Sequence, residues 1–230
     1  MLGINEIVVS YGKSTATNTH PIFWGILDTH ERAQAEKFKT PLLRQRYIEV
    51  HGQLRLLLAK TLNQPAAQLR IARTAQGKPY LPDYPTLAFN LSHSAEHWVI
   101  ALSRHCQLGI DLEVCQARVN LVGLVERCFA AEEIGYWQQL PETEKNFAFY
   151  RYWTRKEAFV KATGVGITLG LNQCAINPQQ PNTFLRVPSQ YGPTQAWRIH
   201  DIELGTGLCC ALVTDKPSSV IAINTTSHEW

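Results

Sequence analysis

Between residues 41 and 63, Leu43, Tyr47, Val50, Leu54, Leu57 and Leu58 recur at steps of three and four. That spacing is one stripe of an amphipathic helix about six turns long. Pro65 lies just past it and cannot continue it. Arg44, Arg46 and Arg55 are interleaved with the stripe. A helix of this length needs a sheet or another helix to cover its apolar stripe, so the rest of the chain is read for strands. Residues 76–87 (QGKPYLPDYPTL) hold three prolines and a glycine and read as loop. The runs 97–103 (HWVIALS) and 108–114 (LGIDLEV) are rich in β-prone types. Cys106 and Gln107 lie between them, which predicts a hairpin. Helix is predicted over roughly 121–139 and again over about 143–163, where Gly164 and Gly166 supply a stop. Beyond 167 come short strands between Pro-rich loops at 177–182 and 188–193, with 207–214 (GLCCALVT) as a buried strand.

The expected class is therefore mixed α and β. Each half shows a long helix and several strands, which hints at two related subdomains, 1–104 and 105–230. At 230 residues and 45% hydrophobic, the chain has enough apolar surface for a true core. Its net charge of +3 is too small for a nucleic-acid binder, whose basic excess is larger and clustered. The six cysteines, at 106, 115, 128, 174, 209 and 210, form no C-x-x-C pair. A cysteine zinc site is not expected. No run reaches the roughly 20 apolar residues that span a bilayer, and the N-terminus lacks a signal-peptide pattern. A soluble protein of the reducing cytoplasm is expected.

Four segments hold residues suited to chemistry. In GIDLE (109–113), strand alternation puts Ile110 and Leu112 on one face and Asp111 and Glu113 on the other. Two carboxylates at i and i+2 suit a hard cation such as magnesium. Taken alone, the segment fits a half-buried strand with a solvated acidic face better. In WTRKEAFVKATG (153–164), Trp153, Glu157 and Lys161 share one helical face. Alone, that is an exposed i,i+4 ion pair of about 0.3–0.5 kcal/mol. In FNLSHS (89–94), Ser92, His93 and Ser94 stand at a strand's start and could meet phosphate oxygens, or form an ordinary turn. Adjacent Ser and His point to opposite sides of a strand, and no G-x-S-x-G is present, so a serine hydrolase is discounted. In GKPY (77–80), Lys78 lacks the upstream glycine of a phosphate loop, yet a lysine in a stiff loop can still meet a phosphate as a point charge.

The order of these segments is more informative than any one of them. With FAAEE at 129–133 added, the set GKPY, FNLSHS, GIDLE, FAAEE and WTRKEAFVKATG resembles the signature of the Sfp-type 4′-phosphopantetheinyl transferases. The resemblance implies a pseudo-twofold pair of α/β subdomains, each an antiparallel sheet packed on a long helix, with coenzyme A bound in the cleft between them. It implies that Asp111, Glu113 and Glu157 hold magnesium. It implies that Arg46, Lys78, Ser92, His93 and Lys161 contact the phosphates or adenosine end of coenzyme A. Asp111, Glu157 and Lys161 become the catalytic candidates, with Glu157 or Lys161 as the proton acceptor. Glu133 falls at a further acidic position of the family. Family members often place lysines before the first long helix to grip the 3′-phosphate; here Arg32, Lys37 or Lys39 would substitute. The implied reaction moves phosphopantetheine from coenzyme A to a serine of an apo acyl or peptidyl carrier protein, by a monomeric enzyme. A metal-dependent phosphodiesterase or pyrophosphatase, and a non-catalytic coenzyme-A-binding module, are the competing readings.

Overall fold

The computed structural model describes residue 3 and residues 5–14, 21–166, 169–217 and 220–225. Its elements run β1 (Glu6–Lys13), α1 (Pro21–Ile26), α2 (Thr29–Glu36), α3 (Pro41–Leu62), β2 (Ala72–Arg73), β3 (Pro79–Tyr80), β4 (Ala88–Ser94), β5 (His97–Ser103) and β6 (Leu108–Val114). They continue α4 (Leu121–Cys128), α5 (Ala131–Gln138), α6 (Glu142–Thr163), β7 (Ala175–Ile176), β8 (Phe184–Arg186), β9 (Arg198–Asp201), β10 (Leu208–Thr214) and β11 (Val220–Thr225).

The two long helices form where the apolar periodicity and the glycine stop put them. Thr40 caps α3 by accepting the Leu43 amide, and Asn63 ends it in the left-handed region at φ 53. Gly164 does the same for α6 at φ 74. Each helix covers a sheet. The first sheet has the order β11-β1-β5-β4 and the second β6-β10-β9. The stretch β1, α3, β4, β5 thus repeats as β6, α6, β9, β10, and β1-β5-β4 has the same strand order as β6-β10-β9. This is the pseudo-twofold pair.

Three apolar clusters follow from strand alternation. Val50, Leu54 and Leu58 of α3 meet Phe89, Trp98, Ile100 and Leu102. Phe149, Ala158, Phe159 and Ala162 of α6 meet Cys209, Ala211 and Val213. The remaining alternates, Ile7, Val9, Val99, Ala101, Ile110, Leu112, Cys210 and Leu212, form a cluster shared by both sheets. Ile110 and Leu112 therefore point away from α6, and Asp111 and Glu113 point the other way.

Several expectations change. Runs 97–103 and 108–114 do not pair as a hairpin. β5 pairs with β4 from Ala88↔Ser103 to Ser94↔His97, and β6 pairs with β10. The actual turn is Ala95-Glu96, with Ala95 at φ 52. FNLSHS is thus a full strand and not the approach to one. The helix expected over 121–139 is two helices, broken at Phe129-Ala130, where the backbone turns extended. The first sheet is not wholly antiparallel, because β11 crosses back from the second sheet and runs parallel to β1. This covers an otherwise open sheet edge. A division at 104/105 leaves that one strand of the first sheet in the second segment.

Candidate active site

The site is built where β6 passes beneath α6. A β-carbon at Gly109 would overlap the Ala158 carbonyl oxygen and the Ala162 amide nitrogen. Only glycine lets the strand and helix backbones come this close. Two residues further on, Asp111 is brought to the Lys161 ammonium at 2.6 Å. Lys161 Nζ also donates to Ser92 Oγ at 2.9 Å and to the Ile110 carbonyl at 3.2 Å. Its three N–H bonds are all engaged.

β6 is an edge strand, and the side chains of β4 take the place of a neighbouring strand along that edge. Ile110 N–H donates to Asn90 Oδ1 at 2.9 Å and Val114 N–H donates to Ser94 Oγ at 3.2 Å. Ser92 donates to Asp111 Oδ1 at 2.9 Å, and Ser94 to Glu113 Oε2 at 2.8 Å. Asn90, Ser92 and Ser94 lie on one face of β4. His93 lies on the other, where α3 brings Arg46 and His51 into its electrostatic field. Both faces reach one cavity of about 400 Å³, lined by Ser92, His93, Asp111, Glu113, Glu157 and Lys161. Trp153, Glu157 and Lys161 are shared with a larger groove of about 660 Å³, which runs on past Lys78, Val160 and Leu169.

The carboxylates feel one another. Burial, followed by the charges of Asp111 and Glu113, holds the Glu157 carboxyl above its usual range. Burial also raises Glu113, with the Ser94 hydrogen bond opposing it. Asp111 Oδ2 is buried and without a hydrogen-bond partner. An orphaned, buried anionic oxygen beside two further carboxylates is a donor set suited to a hard divalent cation. The side chains do not stand in ligating array. Among the described residues, no three His, Cys, Asp or Glu side chains form a group ready to hold a metal ion.

Other expected residues are placed as follows. Lys78 packs its stem on Gly164 and donates to the Ala162 carbonyl at 2.7 Å and the Leu108 carbonyl at 3.2 Å. Burial pushes its ammonium down to about 8. Arg46 lines neither cavity, and its Nε is buried without a partner. Arg32 donates to the carbonyls of Trp24 and Gly25 and lies over the Trp24 ring, so its guanidinium already has local partners. Lys37 and Lys39 are exposed. Glu133 is not in the site. It is fully buried against Lys156 at 2.7 Å and accepts the amides of Ala130 and Ile176. Sequence analysis assigned no role to Asn90 or Gly109, and assigned Ser94 to phosphate oxygens or a turn, whereas it bonds to Glu113 and the Val114 amide. The polar i, i+2, i+4 spacing of Asn90, Ser92 and Ser94 was the available signal.

Similarity to known proteins agrees with this geometry. The 4′-phosphopantetheinyl transferase superfamily pattern (ACPS) matches residues 107–213, and the N-terminal pattern of a 4′-phosphopantetheinyl transferase (AASDHPPT_N) matches residues 17–105. The slr0495 protein of Synechocystis sp. is 34% identical over 181 residues, 78% of this chain and 73% of its own. The 4′-phosphopantetheinyl transferase HetI of Nostoc sp. is 36% identical over 167 residues, 71% of this chain and 70% of its own. The 4′-phosphopantetheinyl transferase Sfp of Bacillus subtilis is 25% identical over 173 residues, 74% and 75% of the two chains. A strand and a helix crossing at a glycine to bring together acid, base and hydroxyl, in a chain so matched along both halves, identify it as a member of the 4′-phosphopantetheinyl transferase superfamily.

Proposed function

We propose that the chain transfers 4′-phosphopantetheine from coenzyme A to a serine of an apo acyl or peptidyl carrier protein, with magnesium as cofactor. Family membership supports the reaction class, and the orphaned Asp111 Oδ2 in a cavity shared with Glu113 and Glu157 is the observation that supports the metal. Asp111, Glu113 and Glu157 would hold the ion, which when bound would neutralise charge on the pyrophosphate.

The serine hydroxyl attacks the β-phosphorus of coenzyme A, and adenosine 3′,5′-bisphosphate leaves. Lys161, with its N–H bonds directed at Asp111, Ser92 and Ile110, acts as a fixed cation beside the transferring phosphoryl group. Having no free lone pair in that arrangement, it is the poorer proton acceptor. Glu157 accepts no hydrogen bond among the described residues and lines the same cavity as Asp111 and Lys161, so its carboxylate is the better placed acceptor for the serine proton. Ser92 orients Asp111 and offers its hydroxyl oxygen toward the same cavity. Lys78, His93 and Arg46 hold the phosphates or adenosine end of coenzyme A. The enzyme works as a monomer in the cytoplasm, with subdomains meeting near residues 104 and 105. Among the described residues no helix is long and apolar enough to cross a membrane.

Intact-mass measurement of an apo carrier protein incubated with enzyme, coenzyme A and magnesium tests this reading. The carrier gains one phosphopantetheine unit, the gain stops reversibly in excess chelator, and Asp111→Ala lowers it by about a hundredfold or more in a chain that still folds. Hydrolysis of coenzyme A with no gain on the carrier, or full turnover in chelator, would contradict it.

A further inference from the structure

The hydroxyl of Ser94 occupies a position that the transfer chemistry above does not use. Its oxygen accepts the Val114 amide at 3.2 Å, and its proton goes to Glu113 Oε2 at 2.8 Å. A serine hydroxyl has one proton and rotates freely to direct it. Once its oxygen is engaged by a backbone amide one residue past Glu113, that proton has a fixed target. Ser94 therefore grips the β6 backbone and the Glu113 side chain together, from a strand of the other sheet. No other hydrogen bond or ion pair to the Glu113 carboxyl occurs among the described residues. By contrast Asp111 has two partners, Ser92 and Lys161.

We propose that Ser94 is a positioning residue for the transfer reaction, tethering Glu113 by Oε2 so that its carboxylate stays at the cavity where the divalent cation would bind. This rests on the reading of Glu113 as a metal ligand. Removing the hydroxyl leaves Glu113 free to rotate toward solvent and leaves the Val114 amide on an open strand edge. Outer partners of metal ligands typically contribute about 10–100-fold to metal affinity. The loss falls on metal affinity and not on the chemical step, because Ser94 does not line the cavity that holds Asp111, Glu157 and Lys161.

The test titrates magnesium against two readouts, transfer rate and the melting temperature of the enzyme without coenzyme A, in wild type, Ser94→Ala, Ser94→Thr and Glu113→Gln. Ser94→Ala raises the half-saturating magnesium roughly tenfold or more in both readouts. It leaves kcat at saturating metal and KM for coenzyme A near wild type, and Ser94→Thr restores the wild-type midpoint. If Glu113→Gln shifts the midpoint and Ser94→Ala does not, the positioning role is overturned. If Glu113→Gln leaves the midpoint in place, the ligand reading fails instead. Should Ser94→Ala not fold, Ser94→Cys, with a weaker donor of similar size, gives an intermediate midpoint; a wild-type midpoint there overturns the proposal.

Discussion

The two halves of the molecule share a frame and differ in how closely the helix lies on the sheet. α3 and α6 are each 22 residues long. Fourteen residues after its start, each carries a fully buried cation, Arg55 in α3 and Lys156 in α6. Each cation reaches carbonyls just past its own helix, Arg55 those of Ala66 and Leu69, Lys156 those of Leu171 and Cys174. Each also pairs with the glutamate at the third position of a preceding short helix, Glu31 in α2 and Glu133 in α5. The scaffold is built twice. The proposed site is built once. In the first half Phe89, Trp98 and Ile100 fill the space beneath α3, and the alternates of β1 opposite Ile7 and Val9 are Val8, Ser10 and Gly12. In the second half those alternates are Gly109, Asp111 and Glu113. At the helical steps of Glu157 and Lys161, α3 has Leu56 and Lys60. Close packing at one glycine, more than the fold itself, separates the half that carries the proposed site from the half that supports it.

The largest expected effect tests that contrast. Gly109→Val drives a side chain into the backbone of α6, which no rotamer relieves, and should cost about 4–5 kcal/mol in urea denaturation, with transfer abolished. Gly52→Ala in α3 meets the Phe23 side chain from its Cβ to its ring rather than the backbone of a packed element, and should cost about 1–3 kcal/mol with transfer retained. Equal losses would show that the close approach is not special to the second half.

This close approach also marks what sequence can and cannot convey. Both long helices and the face assignment of Asp111 and Glu113 were legible because they follow from period 3.6 and period 2. Trp153, Glu157 and Lys161 were legible as one helical face for the same reason. The partner of β6 was not. Cys106 and Gln107 make a plausible hairpin link, while the true turn uses Ala95, a residue type that gives no turn signal at φ 52. Nor did sequence show that Asn90 and Ser94 bind β6, since their i, i+2, i+4 spacing with Ser92 marks one polar face of a strand but not what that face meets some 20 residues on. FAAEE entered through the family resemblance alone, which left the role of Glu133 open. Its burial against Lys156 makes it part of the frame, and the parallel with Glu31 becomes visible only once both helices are in place.

The paired buried ions give the next prediction. Lys156→Met strands Glu133 without its cation and should cost about 3–5 kcal/mol; Arg55→Met should cost somewhat less, because its second acid, Asp28, reaches solvent. The two glutamates should then respond oppositely to acid. His51 and Arg55 outweigh burial at Glu31 and hold its carboxyl below the usual range, so its contribution is lost as pH falls below about 4.5. At Glu133 burial outweighs Lys156 and the two amides, so its carboxyl lies above the usual range and its contribution is lost as pH rises above about 4.5. Glu31→Gln should therefore flatten the acid limb of the stability curve, and Glu133→Gln should steepen it. Limbs of the same slope would mean that the two ion pairs are equivalent in charge as well as in position.

The smallest expected effect concerns the lysine that ties the halves together. Lys78 belongs to the first half by sequence but spends its ammonium on the Leu108 carbonyl of β6 and the Ala162 carbonyl of α6. Burial lowers it to about 8, from an ordinary 10.5. Between these values the unfolded chain holds a proton that the folded chain has released. Unfolding therefore takes up a proton, and stability rises with pH across that window. Because the side chain is partly solvated, the rise should be about 1 kcal/mol or less, and Lys78→Met should lack it. Adding coenzyme A decides what the ammonium is for. If Lys78 meets a phosphate, the added negative charge favours its protonated form, and the break near 8 moves upward in wild type. A break that stays in place when the substrate binds would make Lys78 a clasp on the end of α6, belonging to the frame and not to the site.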